Sequence, residues 1–259
     1  MVYVLYIQAL NKMSLKRYLV IFILMCCSKL IFAQDRVPAW GGGADLQDFS
    51  FGFSFTYVSS DFKIVKKPDW RTPFTNPDNG QYLTSPLNSI SSKSTPGFAV
   101  GFVTRYSLTD HLEVRFTPSL VFADRDLTYI YQNPAQNPDV TKKVQTTTVD
   151  APLSFKLKSD RLGNFRAYML GGVKYSHSIA AKKNDANNDL MDKLVKNVSG
   201  YGSYEAGLGC DIYFEFFKLS PEIKISNSFG NVLLPENQPF SAPISKLSLH
   251  TIMFSLFFE

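Results

Sequence analysis

The stretch FSFGFSFTY (residues 49–57) alternates without a break between aromatic side chains and serine, glycine or threonine. Side chains in a β-strand point to opposite faces with a period of two, whereas an α-helix repeats every 3.6 residues. The stretch therefore predicts a β-strand with one strongly apolar face and one small, polar face.

Seven further stretches share this period of two: residues 98–106, 111–122, 149–158, 165–175, 201–214, 217–229 and 246–258. Each is about as long as the nine to eleven residues that a tilted transmembrane strand needs. The last stretch is the least regular, because its apolar positions change parity between Leu249 and Ile252. A bulge or a strand that is apolar on both faces would explain that change.

The connections between these strands alternate between short and long. The short ones are SLTD, SDRLGN and about FEF, and the long ones cover roughly residues 59–96, 132–141, 180–199 and 230–244. An up-and-down barrel with tight periplasmic turns and long outer loops produces this alternation.

Alternation alone also fits a soluble up-and-down barrel such as a lipocalin. A membrane barrel is favoured because the polar face is rich in glycine and serine, and because aromatic residues lie near strand ends (Tyr57, Tyr106, Tyr175, Tyr213 and Phe258). The predicted fold is all-β: an eight-stranded antiparallel up-and-down transmembrane β-barrel with an N-terminal signal peptide.

The first residues have the features of a secretory signal. Lys16 and Arg17 precede an apolar run of about ten residues, too short to span a membrane, and Ala33 offers a cleavage point. We expect a signal peptide over residues 1–33, of which 1–12 could be a mis-started extension, then a periplasmic leader over 34–48 and an outer-membrane barrel over 49–259. A retained anchor helix and a lipoprotein modified at Cys26 or Cys27 are the alternatives.

Removing residues 1–33 changes the charge of the chain. They contain four basic residues and no acid, so the formal net charge falls from +5 to +1. A mature chain with this charge has no basic patch for nucleic acid. Of the three cysteines only Cys210 would remain, so no internal disulfide can form.

Charged residues on the polar faces of the strands should point into the lumen. They are Arg105, Glu113, Arg115, Asp150, Lys156, Lys158, Arg166, Lys174, Glu205, Asp211, Glu222 and Lys224. Eight strands leave an interior just wide enough for side chains. We therefore expect a lumen plugged by ion pairs, in which Glu113 and Arg115 pair with neighbours such as Lys156, or Arg105 and Asp150.

Three prolines lie inside predicted strands: Pro118, Pro152 and Pro221. Proline cannot donate a hydrogen bond to the strand ladder. The sequence predicts bulges in the barrel wall at these positions, and a weakened seam where a partner docks is the alternative.

The sequence predicts no catalytic, cofactor-binding or metal-binding residues. His111 falls at a turn, and nothing groups His177 with a nucleophile and an acid. DANND (185–189) has calcium-loop spacing but lacks the glycine and the closing glutamate, and GGG (41–43) lacks the rest of a phosphate loop. Outer-membrane lipid is the partner that the pattern itself implies, and no small-molecule substrate is evident.

Several stretches resemble the PorT/SprT proteins of the type IX secretion system. They are FGFSFTYVSSDFKIV, LEVRFTPSLVFADRDLTYIY, APLSFKLKSDRLGNFRAYMLGGVKYSHSIAAKK, YEAGLGCDIYFEFFKLSPEIKIS and the closing FFE. The resemblance covers most of residues 49–259 and is strongest from 149 to 229.

The resemblance implies a non-enzymatic outer-membrane barrel required for type IX export and, where present, for gliding-adhesin export. Type IX translocon components would be its partners, and it brings no catalytic residues. Two other hypotheses remain: a stand-alone structural or ligand-binding barrel acting through its long outer loops, and a barrel enzyme that depends on His177.

Overall fold

The computed structural model describes residues 47–179 and 189–259. The expected signal peptide, most of the expected leader, the GGG motif and most of DANND lie outside these residues. Within them, no helix is both long and apolar enough to cross a membrane. Ten strand segments make up the fold: β1 Phe49–Lys66, β2 Leu87–Lys93, β3 Thr95–Ser107, β4 Leu112–Phe116, β5 Ser119–Tyr131, β6 Val140–Lys158, β7 Phe165–Ser178, β8 Gly200–Tyr213, β9 Lys218–Ser228 and β10 Ile244–Phe258.

The ten segments form eight strands that include the eight predicted ones, because two strands are interrupted. The second extends beyond its predicted range and is split at Ser94 into β2 and β3, and the third is split at Thr117–Pro118 into β4 and β5. Every pairing is antiparallel, and β1 pairs with both β10 and β3, which closes the sheet into a ring. The eight-stranded barrel predicted from the sequence is confirmed.

The strands extend further into the outer region than the sequence predicts. The predicted loop 59–96 contains the end of β1 and all of β2, and β5 and β6 stay paired as far as Tyr129 and Val140. The pairing of β1 with β3 ends at Ser60 and Thr95. Toward the outer end of the barrel, β1 remains paired with β10, whereas β2 pairs with β5. The prediction of one long loop there was wrong, because LNSISSK is too polar to read as a strand.

The barrel changes character along its axis. In the half near the short turns, large apolar side chains point outward and are exposed, such as Phe51 at 67% and Leu208 at 59%. In the other half the inward positions are apolar and form a cluster that we call the outer core. Its buried members are Phe62, Leu87, Ile90, Leu127, Tyr129, Tyr131, Val144, Val195, Val232, Leu233, Phe240, Ile244, Leu247 and Leu249.

The outer core explains the irregular last strand. Leu247 and Leu249 point inward, as do Met253 and Phe257, and the β1–β10 register is continuous between them. The strand is therefore apolar on both faces, inward at its outer end and outward at its periplasmic end. Of the two explanations that the sequence left open, the bulge is excluded for this stretch.

Candidate functional site: the charged lumen

The periplasmic half of the barrel is filled by charged side chains. All twelve charged residues that the sequence assigns to the lumen are buried, and the most accessible, Arg166, is 8% exposed. Alternation along the strands places them there, since their neighbours in sequence point outward. A buried charge without a partner costs several kcal/mol, so the arrangement depends on how these groups pair.

Glu113 lies at the centre of one group of ion pairs. Its carboxylate is 3.5 Å from Arg105 Nη1 on β3, 3.2 Å from Lys158 Nζ and 3.9 Å from Lys156 Nζ on β6. The neighbouring strands β3 and β6 thus supply three cations to one carboxylate of β4. Part of the expected pairing of Glu113, with Lys156 or Arg105, is present in this group.

Arg115 reaches across the lumen. Its guanidinium donates to Glu222 of β9 at 2.8 Å and to the Glu259 side chain at 3.3 Å, and it stacks on Phe257 with 4.1 Å to the ring centre. The expected partner Asp150 instead binds Lys174. Arg115 therefore bridges opposite walls, and it makes a longer contact of 3.9 Å with Glu113 of its own strand.

Two residues that the sequence did not single out complete this group. The Glu259 carboxylate lies 2.5 Å from Arg105 Nε and 2.9 Å from Lys218 Nζ. Backbone hydrogen bonds between Lys218 and Glu259, at 2.6 and 3.0 Å, hold the two residues opposite each other. The alternation could have revealed both, because Glu259 shares the inward parity of Phe257, and Lys218 that of Glu222.

Lys156 and Asp211 form a further pair in the same region. Lys156 Nζ is 2.9 Å from both carboxylate oxygens of Asp211, and the Ser220 hydroxyl donates to Asp211 at 2.6 Å. Lys156 also lies 3.8 Å above the Tyr168 ring, whose hydroxyl donates to Glu222 at 3.0 Å. We call the charged residues of this region the lower cluster: Arg105, Glu113, Arg115, Lys156, Lys158, Asp211, Lys218, Glu222 and Glu259.

A second, smaller group lies nearer the outer end. Lys174 bridges Asp150 and Glu205 at 3.0 and 3.3 Å, and Lys224 contacts Glu205 at 3.0 Å. We call these four residues the upper cluster. Arg166, in contrast, lies at the periplasmic rim, where it donates to the backbone carbonyls of Ser159 and Asp110 at 2.7 and 2.8 Å.

Little space remains between these side chains. A gap of about 30 Å³ lies beside the upper cluster, bordered by Ser54, Thr117 and Phe257. That volume is enough for one water molecule. Above it the outer core fills the interior, so the lumen of the described barrel is filled along its length.

Comparison with protein families agrees with this barrel geometry. The protein family described as "Outer membrane protein beta-barrel domain" matches residues 32–234, more than half of the chain. The chain belongs to this outer-membrane β-barrel family. The protein is therefore located in the outer membrane, with its apolar outer face in contact with lipid. Comparison with curated proteins finds no match.

Solved structures of several small outer membrane proteins are similar to this chain. OprG from Pseudomonas aeruginosa is 13% identical, with a TM-score of 0.43, over 81% of this chain and 93% of OprG. The neisserial surface protein NspA is 8% identical, with a TM-score of 0.39, over 82% and 98% of the two chains. AlkL is 13% identical, with a TM-score of 0.36, over 88% and 92%.

The lipid-facing surface of this outer membrane protein includes most of the expected aromatic residues. Tyr57, Tyr106 and Tyr175 are about half exposed and point outward. Tyr213 was assigned wrongly: it points inward, is 1% exposed and packs under Arg161 at 3.6 Å. Its neighbour Ile212 takes the outward position.

None of the three prolines shifts the register of the wall, and only Pro118 lies at a break between strand segments. The β3 partners run from Thr104–Phe116 to Gly101–Ser119 in one register across Pro118. The β6–β7 register is likewise constant through Pro152, and the β9–β10 register through Pro221. The predicted bulges at Pro118, Pro152 and Pro221 are therefore corrected to in-register positions, because each proline replaces one residue without inserting another.

The histidines are dispersed over the barrel. His111 contacts Asp160 at 2.8 Å in a periplasmic turn, His177 is exposed on the outer face, and His250 contacts Asn227 at 2.7 Å. Among the described residues, no three histidine, cysteine or acidic side chains are placed to hold a metal ion.

Proposed function

We propose that this outer-membrane barrel is a non-enzymatic component that assists type IX protein secretion. The observation that carries the proposal is the resemblance to PorT/SprT proteins, strongest over residues 149–229. That region includes β7, β8 and β9, which supply Lys174, Glu205, Asp211, Glu222 and Lys224 to the lumen.

The filled lumen supports an accessory role. Ion pairs occupy the periplasmic half of the barrel and the outer core occupies the rest. Cargo therefore has no path through this barrel, and the protein acts through its outer wall and its loops. Type IX translocon components, including the large translocon barrel, are the partners that this role requires.

Deletion of the gene tests the proposal directly. We expect type IX cargo to disappear from the culture medium and to return on complementation, whereas export by other routes continues. Co-purification from gently solubilised membranes should recover translocon components with the tagged barrel. Unchanged cargo secretion in the deletion strain would refute the role.

The alternative is a stand-alone structural or binding barrel that acts through loops 59–96 and 180–199. The ordered loop at residues 67–86 favours this alternative, since backbone hydrogen bonds tie it to the barrel at Lys67–Pro243 and Leu87–Arg71. Replacement of residues 68–85 by a short turn should then abolish surface or ligand binding while secretion continues.

The absence of catalysis is part of the proposal. Of the histidines, His177 was the candidate for an enzyme, and it lies on the exposed outer face of β7. Hydrolysis of lipid or peptide by the purified barrel that is lost in His177→Ala would overturn the non-enzymatic assignment.

A further inference from the structure

A cleft of about 180 Å³ opens at the outer end of the barrel, between loop 67–86 and residues 239–243. Its aromatic walls are Trp70, Phe74 and Tyr131. This volume is below the range of drug-sized ligand pockets and fits a single ring with its substituents.

The walls of the cleft are held in place by hydrogen bonds within the protein. Phe74 N donates to the Thr84 hydroxyl at 2.9 Å, and Leu83 N donates to the Phe74 carbonyl at 2.8 Å. Lys67 N donates to the Pro243 carbonyl at 3.0 Å, which joins the two sides. The cleft therefore exists before a ligand binds, which lowers the entropic cost of binding.

Tyr131 carries the argument for a ligand. Its side chain is 3% exposed and lines the cleft, and its hydroxyl is not among the described polar atoms that are buried without a hydrogen-bond partner. Its neighbour Tyr129, by contrast, donates to the Phe240 carbonyl at 2.6 Å. A solvent molecule or a ligand in the cleft can therefore accept a hydrogen bond from the Tyr131 hydroxyl.

The remaining groups define the chemistry of that partner. Burial raises the pKa of Tyr131, so its phenol remains a neutral donor. Asp69, Thr72 and Thr75 add a carboxylate and hydroxyls at the edge of the cleft. Aromatic and proline surfaces beside several hydrogen-bonding groups match a ring with apolar faces and hydroxyl edges.

Charge argues against a cationic ligand, which an aromatic cage would otherwise suit. Lys66 Nζ already lies 4.1 Å from the centre of the Trp70 ring, and the Arg71 guanidinium lies 5.0 Å from it. These two cations repel a third positive charge at the same ring. We propose that the cleft binds a single neutral sugar ring, which stacks on the aromatic wall and hydrogen-bonds to Tyr131.

This site is independent of a role in secretion, and its test uses the purified barrel. The chain has two tryptophans, Trp40 and Trp70, so Trp40→Phe leaves Trp70 as the only one. The barrel is held in lauryldimethylamine oxide, because maltoside and glucoside detergents carry sugar headgroups. The fluorescence emission of Trp70 is followed during titration with D-glucose, D-galactose, D-mannose and N-acetyl-D-glucosamine, and with their methyl glycosides.

We expect one of these sugars to change the Trp70 emission saturably in about the millimolar range, as befits a single-ring ligand. Binding of the methyl glycoside would assign the site to the end of a glycan, and binding of the free sugar alone to a dissolved monosaccharide. Tetramethylammonium should leave the emission unchanged.

Tyr131→Phe should weaken binding about tenfold or more without changing the unfolding midpoint, since no bond within the protein is lost. The matched control is Tyr82→Phe in the same loop, where the side chain is 75% exposed and outside the cleft. A flat titration with every sugar, or equal affinity in Tyr131→Phe and Tyr82→Phe, would overturn the proposal.

Discussion

The Glu259 side chain holds three buried cations at close range. It lies within 3.3 Å of Arg105, Arg115 and Lys218, which come from β3, β4 and β9. Each of these cations is 1% exposed, so water cannot replace the carboxylate. In a filled barrel, one missing charge leaves these cations with fewer partners in a medium where they are poorly solvated.

Glu259→Gln should therefore lower the free energy of unfolding by about 3 kcal/mol, as expected for one broken buried ion pair. Urea unfolding in lipid vesicles measures the change. The control is Glu236→Gln, which removes the partly exposed Lys196 pair at 3.2 Å and should cost less than about 1 kcal/mol. Equal effects of the two substitutions would contradict the role of Glu259.

Sequence alternation predicts which charged residues face inward, but not how they pair. Glu113 on β4 contacts cations on β3 and β6, and these contacts can be expected once the order of the strands is known. Arg115, however, binds Glu222 from the opposite wall, and that contact depends on the barrel diameter and side-chain lengths. Lys218 and Glu259 follow the same alternation and were missed because they stand at strand ends.

At the level of single strands, Gly52 lies where the wall has no room for a side chain, and Pro118 lies where the wall lacks a backbone donor. A Cβ at Gly52 would collide with the Phe258 carbonyl oxygen and lie 2.9 Å from Glu259 Cγ. The glycine thus gives the Glu259 side chain room to pass over β1 into the lumen. The sequence alone does not show why a glycine is required at this position, because the close contact with Phe258 and Glu259 arises only from the pairing of β1 with β10.

Gly52→Ala should destabilise the barrel by about 1–3 kcal/mol, because the added methyl group separates β1 from β10 at the closing seam. Gly171→Ala on β7 is the control, since its nearest atom would be 3.9 Å away. Thermal unfolding followed by circular dichroism distinguishes the two. A stable Gly52→Ala barrel would show that the seam can shift without cost.

Pro118 removes one donor from the ladder. The Pro118 carbonyl accepts from Phe102 N at 3.0 Å, and in an antiparallel pair the residue opposite would return a bond. Pro118→Ala should restore this donor and stabilise the barrel by about 1 kcal/mol. Urea unfolding checks the change against Pro77→Ala in an exposed loop, and a loss of stability in Pro118→Ala would indicate that the proline itself is needed.

The extent of the outer strands could not be predicted because the rule of polarity changes there. Phe62 and Leu247 face inward, whereas the same parity in the periplasmic half carries Ser54 and Ser255. The alternation of outward apolar and inward polar residues therefore ends where the strands leave the membrane. The strand order, the turns and the periplasmic half follow from the sequence.

On the scale of the whole molecule, the barrel joins a membrane zone to an aqueous zone. Outward positions are apolar in the first and polar in the second, as Leu208 and Thr141 illustrate. Leu208→Lys should cost about 2–4 kcal/mol, because the charge enters the middle of the bilayer. Thr141→Lys should cost almost nothing, and vesicle refolding measures both. Equal costs would mean that the zones are wrongly placed.

The filled interior predicts the behaviour of the whole barrel in planar lipid bilayers. We expect no stable conducting state, because the lower cluster, the upper cluster and the outer core close the lumen in series. Regular single-channel steps from the unmodified protein would contradict this expectation and would reopen the question of transport.

The Glu259 contacts also bear on how the barrel is assembled. Arg105 and Arg115 are in place once β3 and β4 have formed, but one of their carboxylates arrives only with the residue after β10. A barrel that lacks β10 is short of this negative charge, so Arg105 and Arg115 each lack one of their buried partners. Closure of the ring by β10 and delivery of the Glu259 carboxylate to these cations therefore take place in the same step.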